Sequence, residues 1–352
     1  VKADSISKRD TVISIVIIGF LFFTFGFVSW INAILIPFFK IACELDHFES
    51  YLVTFAFYIS YLVFSVPSAY LLKKSGFKNG IMIGFWIIAL GAFIFIPAAL
   101  TRTYYLFLLG LFIIGAGLAL LQTTANPYIT ILGPKERAAQ RISIMGICNK
   151  GAGILAPLIL AALILRATDS SLFEQIPMMA EAEKNVVLDE LIRRVIPPYA
   201  FLGIFLFIMG ILIRRSPLPD IDTEHENEVV AKANVDKKNI FQFPHLVLGA
   251  VAIFLHVGTQ VISIDTIIGY ADSMNIDLLE AKVFPSYTLG ATIIGYITGI
   301  VLIPRFVSQT NVLRACTLLG FILVMLILFA GGEVLLFGHK ADISIWFLVL
   351  LG

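Results

Sequence analysis

The sequence is divided into apolar segments that recur along its whole length. Crossing the hydrocarbon core of a bilayer as a helix takes about 20 apolar residues. Nine segments reach that length and a tenth begins: 13–40, 50–72, 79–100, 104–132, 140–166, 197–215, 244–271, 282–303, 311–331 and 343 onward. Unbroken apolar runs are typical of spanning helices, because barrel strands alternate apolar and polar residues. The sequence therefore predicts an all-α, polytopic membrane protein.

Composition agrees with this prediction and excludes several other classes. Only 14% of residues are charged, against about 25% in soluble domains, and a net charge of +1 gives no sign of nucleic-acid binding. The three cysteines are far apart and form no C-x-x-C motif, so we expect neither a disulfide framework nor a metal site. No catalytic metal motif is present, and we predict a protein that is not an enzyme and needs no cofactor.

Basic residues are distributed unevenly between the two ends of the segments. The ends of the even-numbered segments are basic, whereas those of odd-numbered segments are mixed or acidic. The basic residues are Lys73, Lys74 and Lys78 after the second segment, Lys135, Arg137 and Arg141 after the fourth, Arg214 and Arg215 after the sixth, and Arg305 and Arg314 after the eighth. The positive-inside rule then predicts that the N-terminus is cytoplasmic.

One long polar stretch separates two series of apolar segments. Residues 1–215 hold six segments, residues 216–243 form a predicted cytoplasmic linker, and residues 244–352 hold the second series. The first segment of each series carries a glycine followed by polar residues, at Gly26 and at Gly258. Two related halves around a site at mid-membrane depth are the plan of a secondary transporter.

Polar side chains within the apolar segments are the candidate functional residues. Amide and charged groups are expensive in hydrocarbon, so they usually face a cavity or a polar partner. The predicted substrate-binding residues are Asn32, Gln122, Asn126, Asn149, Lys150 and Gln260. Gln122 and Lys150 each lie about ten residues from the turn that joins their helices, so we expect them at the same depth and close together. For Asn32, ordinary helix packing is the competing interpretation.

Lys150 and Asp265 are charged residues in the interior of apolar segments. Lys150 has two hypothetical roles: it replaces or carries a coupled ion, or it pairs with an anionic group of the substrate. Asp265 is either a counter-charge for Lys150 or a water-exposed residue of an outer vestibule.

Three sequence blocks resemble a known transporter family. They are N-A-I-L-I-P at 32–37, Q-T-T-A-N-P-Y-I-T-I-L-G-P at 122–134 and V-G-T-Q-V at 257–261. Together they are similar to the fucose–galactose–proton symporters, which include fucose permeases and glucose/galactose transporters, within the major facilitator superfamily. The resemblance implies two six-helix halves, alternating access, and transport of a hexose or deoxyhexose across a bacterial inner membrane by a monomer. It also implies that this chain stops inside its tenth helix.

The chain departs from that family where the family handles protons. Fucose permeases have an aspartate before I-L-I-P and a glutamate before T-A-A-N-P, where this sequence has Ala33 and Gln122; a third family glutamate is replaced by Gln260. Amides can bind sugar hydroxyls but carry no proton. Lys150 and Asp265 are therefore the candidates for coupling to a proton or sodium ion. A carrier of an anionic sugar derivative and a non-transporting sugar sensor are the alternative functions.

Overall fold

A computed structural model describes residues 8–131, 138–218, 239–302 and 306–352, and for residues 8–12, 32, 130, 131, 138–140, 240 and 309 it describes the backbone alone. Several predicted features lie outside the described residues. They are the side chain of Asn32, Lys135, Arg137 and Arg305 at segment ends, and positions 219–238 of the linker.

The described chain is almost entirely helical. Its α-helices are Lys8–Trp30 (α1), Asn32–Ala42 (α2), His47–Ser75 (α3), Phe77–Leu100 (α4), Tyr104–Ile131 (α5), Ala138–Ile164 (α6), Asp169–Gln175 (α7), Glu181–Arg193 (α8), Ile196–Arg215 (α9), Pro244–Asp265 (α10), Ile267–Ser273 (α11), Leu278–Ala281 (α12), Phe284–Leu302 (α13), Gln309–Phe329 (α14) and Ile343–Leu351 (α15). Short 3-10 turns occupy Ile176–Met178 and Ile240–Gln242. Within the described residues, nine helical stretches are long and apolar enough to cross a membrane. The predicted all-α membrane fold is confirmed.

The first membrane-spanning stretch of each half is a broken helix. The first stretch is interrupted at Ile31, between α1 and α2, and the seventh at Thr266, between α10 and α11. Pro37 lies inside α2, and a proline lacks an N–H and crowds the carbonyl four residues before it. Pro37 nevertheless does not end α2, and the interruption falls six residues earlier, nearer the middle of the stretch. Discontinuous helices at corresponding positions are typical of transporters built from repeats.

Two short strands interrupt the helical pattern. The strands Glu333–Leu336 (β1) and His339–Asp342 (β2) pair antiparallel. Both residues of the connecting turn, Phe337 and Gly338, have positive φ angles of 52° and 83°, as the tightest hairpin turns require. This hairpin was not predicted from the apolar segments.

The two ends of the bundle can be named by what they carry. The hairpin β1–β2 and the connections α7 and α8 lie at the end that we call the hairpin face. The opposite end carries the connection from α9 to α10 and is called the linker face. We refer to helices α1–α9 as the N-terminal half and to α10–α15 as the C-terminal half of the described chain. The most extensive contact between the halves joins α6 to α13.

Candidate functional site

Lys150 is the residue on which the buried polar cluster is built. Its side chain projects from α6, is 4% exposed, and donates a hydrogen bond of 2.9 Å from Nζ to Oε1 of Gln260 on α10. The same Nζ lies 4.0 Å from the centroid of the Trp30 ring. Desolvated cation–π contacts stabilise by about 2 kcal/mol, but no carboxylate of the described residues forms an ion pair with Lys150. The cluster thus joins both halves around a buried lysine that has no carboxylate partner among the described residues.

Asn149 fixes the indole ring that covers Lys150. Trp30 Nε1 donates to Asn149 Oδ1 over 3.3 Å, and Asn149 Nδ2 donates to the Phe22 carbonyl oxygen over 3.3 Å. Helix α1 approaches α6 closely here, because a Cβ on Gly26 would overlap the backbone carbonyl of Asn149. A glycine is therefore required at position 26. Trp30 and Asn149 are held in one geometry by this approach.

Gln260 is the contribution of the C-terminal half to the cluster. Besides accepting the hydrogen bond from Lys150, its Nε2 donates to the Gly352 carbonyl oxygen over 3.4 Å. One turn further along α10, Ile264 packs with Trp30 and Leu289 in a small buried apolar group. The cluster consequently has a polar side formed by amides and an ammonium, and an apolar side formed by an aromatic ring and aliphatic residues.

Two predicted residues on α5 have surroundings of their own. Gln122 Nε2 donates to the hydroxyl of Tyr61 on α3 over 3.4 Å, and Asn126 is exposed. Helix α5 packs mainly on α3 and α4, and α6 packs mainly on α1 and α13, although α5 and α6 also contact each other. Hydrogen bonds and ring contacts thus join Asn149, Lys150 and Gln260 through Trp30, whereas the proximity of Gln122 to Lys150 stays a prediction.

Asp265 ends α10 in a buried contact with the other half. Its side chain is 1% exposed, and Oδ2 accepts a hydrogen bond of 3.3 Å from Thr54 Oγ1 on α3. Its second oxygen, Oδ1, has no hydrogen-bond partner among the described residues. The phenol groups of Tyr51 and Tyr58, also on α3, lie within electrostatic range of this carboxyl group. Burying a carboxyl group costs more free energy when it is ionised than when it is protonated, so the burial of Asp265 is coupled to its protonation.

Both interpretations of Asp265 drawn from the sequence are wrong in this structure. A residue of a water-filled vestibule would be exposed, whereas Asp265 is buried. Asp265 also forms no ion pair with Lys150 among the described side chains. Lys150 instead donates a hydrogen bond to Gln260. Thr54 was missed by the sequence reasoning, because a single threonine in an apolar segment carries no signal that distinguishes it from packing residues.

Further contacts hold the two halves together at the hairpin face. Lys40 of α2 and Asp272 of α11 form an ion pair of 3.3 Å. Gly269 lies against Tyr51, since a Cβ at that glycine would be 2.5 Å from the phenol oxygen. Together with the bond from Thr54 to Asp265, these contacts close the hairpin face.

A bundle of spanning helices in two halves, with discontinuous first helices and a buried polar cluster shared between the halves, defines a membrane transporter. Residues 18–352 match the model of the Major Facilitator Superfamily. The chain therefore belongs to the Major Facilitator Superfamily, whose members are transporters and not enzymes. This confirms the family that the sequence blocks indicated.

The relatives found by sequence comparison are sugar carriers. The L-fucose-proton symporter of Escherichia coli (strain K12) is 31% identical over 338 residues, which are 95% of this chain and 77% of the relative. The glucose/galactose transporter of Brucella abortus biovar 1 (strain 9-941) is 35% identical over 258 residues, 72% of this chain and 57% of the relative.

The fold matches a solved transporter structure. A crystal structure of a Major Facilitator Superfamily transporter, FucP, in the outward conformation superposes with a TM-score of 0.72 at 27% identity, over 97% of this chain and 81% of that one.

Proposed function

We propose that this protein is a secondary transporter that carries a sugar of the hexose or deoxyhexose class across a bacterial inner membrane by alternating access. The observation that carries the proposal is the hydrogen bond from Lys150 to Gln260, because it joins the two halves at a buried polar cluster. The names of the relatives, an L-fucose-proton symporter and a glucose/galactose transporter, support the substrate class.

The chemistry of the cluster suits a sugar. Sugar hydroxyls both donate and accept hydrogen bonds, and the amides of Asn149 and Gln260 do the same. Trp30 is held by Asn149 and is buried in this state, so its ring would meet the C–H surface of a pyranose once the two halves separate. Gln122, Asn126 and Asn32 remain further proposed ligands, contributed by α5 and α2.

The proposed transport cycle follows from the division into halves. Residues 1–215 and 244–352 would move against each other, with 216–243 as the cytoplasmic linker and the monomer as the working unit. The distribution of basic residues supports a cytoplasmic N-terminus and linker face, so the hairpin face would be periplasmic. Outward opening then requires the contact of Lys40 with Asp272, and that of Thr54 with Asp265, to separate.

For coupling we propose a proton carried by Asp265. Burying an ionised carboxylate with a free oxygen costs several kcal/mol, and one Asp265 oxygen has no partner among the described residues. A proton removes most of that cost, so proton loading from the periplasm favours closure of the hairpin face. Asp265 would thereby replace the carboxylates that this chain lacks at Ala33 and Gln122.

The sugar and its coupling are tested with protein reconstituted in proteoliposomes. Labelled L-fucose, D-glucose, D-galactose and D-glucuronate are offered with and without an inward proton gradient, and separately a sodium gradient. We expect a neutral sugar to accumulate with the proton gradient alone. Ligand binding without any counterflow would contradict transport and favour the sugar sensor.

Asp265→Asn separates proton coupling from sugar binding. The asparagine amide can still accept the hydrogen bond from Thr54, but it cannot bind and release a proton. We expect counterflow to persist and gradient-driven accumulation to disappear. Glu280→Gln removes an exposed carboxylate of the same half and serves as the matched control. Accumulation by Asp265→Asn at the level of the control would refute the role of Asp265.

One observation favours a second candidate, an anionic sugar derivative as substrate. Lys150 is buried, yet no carboxylate among the described residues pairs with it. A substrate carboxylate would supply the missing charge. Under this candidate, Lys150→Gln abolishes glucuronate uptake and spares neutral sugars. If Lys150 instead couples the ion, the same variant loses gradient dependence for every substrate.

A further inference from the structure

One face of α3 carries hydroxyl-bearing side chains at successive helical turns. They are Tyr51, Thr54, Tyr58 and Tyr61. Their spacings of three, four and three residues place them on the same side of the helix. Tyr51 lies against Gly269 of α11, and Thr54 donates a hydrogen bond to Asp265 of α10. This face of α3 is therefore turned toward the C-terminal half.

Tyr61 lies at mid-membrane depth on this face. It is the central residue of the 29-residue helix His47–Ser75, which is long enough to cross a membrane. It follows Tyr51 of the hairpin face by ten residues, or about 15 Å of helix, which is about half of the hydrocarbon core. Its side chain is half-buried, and its ring stacks on Tyr58 with 6.0 Å between centroids. Substrate sites of secondary transporters lie at this depth, between the two halves.

The Tyr61 hydroxyl joins two other helices of the N-terminal half. Nε2 of Gln122 on α5 donates to it over 3.4 Å, and the side chain of Ser29 on α1 hydrogen-bonds to the same phenol. Ser29 is 8% exposed and directly precedes Trp30, whose ring covers Lys150. Tyr61 therefore links Gln122 to the part of α1 that contributes to the Lys150 cluster.

These contacts determine which atom of the Gln122 amide is free. A glutamine amide has donor hydrogens on Nε2 and an acceptor oxygen, Oε1. Tyr61 holds Nε2, whereas Oε1 accepts no hydrogen bond from the described residues. Gln122 is half-buried, and its Oε1 is not one of the described side-chain atoms that are both enclosed and without a partner. Oε1 is therefore an acceptor that a bound molecule can reach.

We propose that Tyr61 positions Gln122 for the recognition of one hydroxyl group of the sugar. The phenol holds Nε2 in place, so Oε1 is presented as the acceptor for an O–H of the substrate. A sugar hydroxyl can donate this hydrogen bond, whereas an ionised carboxylate has no proton to donate. This inference rests on the proposed sugar substrate. It makes Tyr61 a positioning residue, which acts through Gln122, and it makes one ring position of the sugar a determinant of specificity.

Equilibrium binding of deoxy sugars tests this inference. Isothermal titration calorimetry of the purified protein in mild detergent is used with D-galactose or D-glucose, whichever the wild type binds more tightly. The monodeoxy analogues of that sugar, each lacking one ring or exocyclic hydroxyl, are measured in the same way. We expect the wild type to bind the analogue without the recognised hydroxyl about fivefold more weakly, as for the loss of one neutral hydrogen bond. Gln122→Ala should lose the discrimination against that analogue alone.

Tyr61→Phe distinguishes positioning from packing, because it removes the hydroxyl but keeps the ring beside Tyr58. We expect this variant to lose discrimination at the same ring position as Gln122→Ala and to keep it at the other positions. Tyr70→Phe, at an exposed tyrosine elsewhere on α3, should retain the wild-type pattern. Melting temperatures confirm that the variants are folded. A uniform loss of affinity for all the sugars, or a wild-type pattern in either Tyr61→Phe or Gln122→Ala, would overturn the inference.

The binding assay separates this inference from the proposed transport, because binding does not require translocation. Normal sugar counterflow together with wild-type discrimination in Tyr61→Phe would refute the role of Tyr61 alone. The expected loss of discrimination without any counterflow in proteoliposomes would refute transport alone. A wild type that binds neither sugar would refute the substrate class and the role of Tyr61 together.

Discussion

Substituting Gly269 tests whether the hairpin face closes as described. In the closed state a Cβ at position 269 would lie 2.5 Å from the Tyr51 hydroxyl oxygen and 3.6 Å from the ring carbon that bears it. The first distance is an overlap and the second is an ordinary contact. Gly269→Ala should therefore disfavour closure, although alanine by itself favours a helix by about 1 kcal/mol over glycine.

The free-energy cost of Gly269→Ala depends on which atom the new Cβ overlaps. Overpacking a well-packed contact costs about 1–3 kcal/mol, and the low end applies because the tip of a phenol side chain can shift. A cost of about 1 kcal/mol lowers the ratio of closed to open molecules about fivefold. Tyr51→Phe removes the overlapping oxygen, so the double variant Gly269→Ala, Tyr51→Phe should regain the wild-type ratio.

The populations are measured by double electron–electron resonance. Spin labels are placed at the exposed positions Met178 and Glu280, one in each half at the hairpin face, after the three free cysteines have been changed to serine. Gly269→Ala should increase the long-distance fraction, and adding Tyr51→Phe should reverse the increase. Adding Tyr70→Phe, an exposed tyrosine elsewhere on α3, should leave it unchanged. If Tyr51→Phe fails to rescue Gly269→Ala, the steric reasoning is refuted.

Three further substitutions test the packing and electrostatics of the buried sites. Gly26→Ala places a Cβ on a backbone oxygen of the neighbouring helix and should lower stability by about 3 kcal/mol or more. Gly249→Ala is the control, because no atom of the described structure lies within 4 Å of its Cβ. Equal melting temperatures for the two variants would contradict the close approach. Asp169→Asn leaves a buried arginine unpaired and should cost about 3–5 kcal/mol in thermal unfolding, whereas Glu190→Gln, whose ion pair is exposed, should have little effect. Gln260→Glu gives Lys150 a charged acceptor across the two halves. The variant should therefore have a higher melting temperature and slower sugar counterflow. Faster counterflow would show that this contact does not hold the halves together.

The spanning helices were predictable, because partition into lipid depends on the apolar content of each segment, whatever its neighbours. The third segment, predicted at 79–100, is the helix Phe77–Leu100. The position of the break in the first stretch was not predictable in this way, because the interruption at Ile31 lies six residues before Pro37, inside an apolar run. The hairpin at 333–342 was missed for a similar reason, because short strands leave little trace beside long apolar runs.

The candidate site was predictable in its residue types and not in its pairings. An amide or ammonium group inside hydrocarbon is conspicuous in a sequence, so Asn149, Lys150 and Gln260 could be selected from their positions in apolar segments alone. Their partners depend on which helices are neighbours, and chain order gave no sign that Gln122 bonds to Tyr61 of α3.

By itself the sequence determined that the chain spans a bilayer, which segments cross it, and which family it belongs to. These properties depend on local composition and on short sequence blocks. Only the tertiary structure decided that Trp30 covers Lys150, and that Asp265 is buried against Thr54. Such contacts join residues far apart in the chain, and the packing of whole helices places them together.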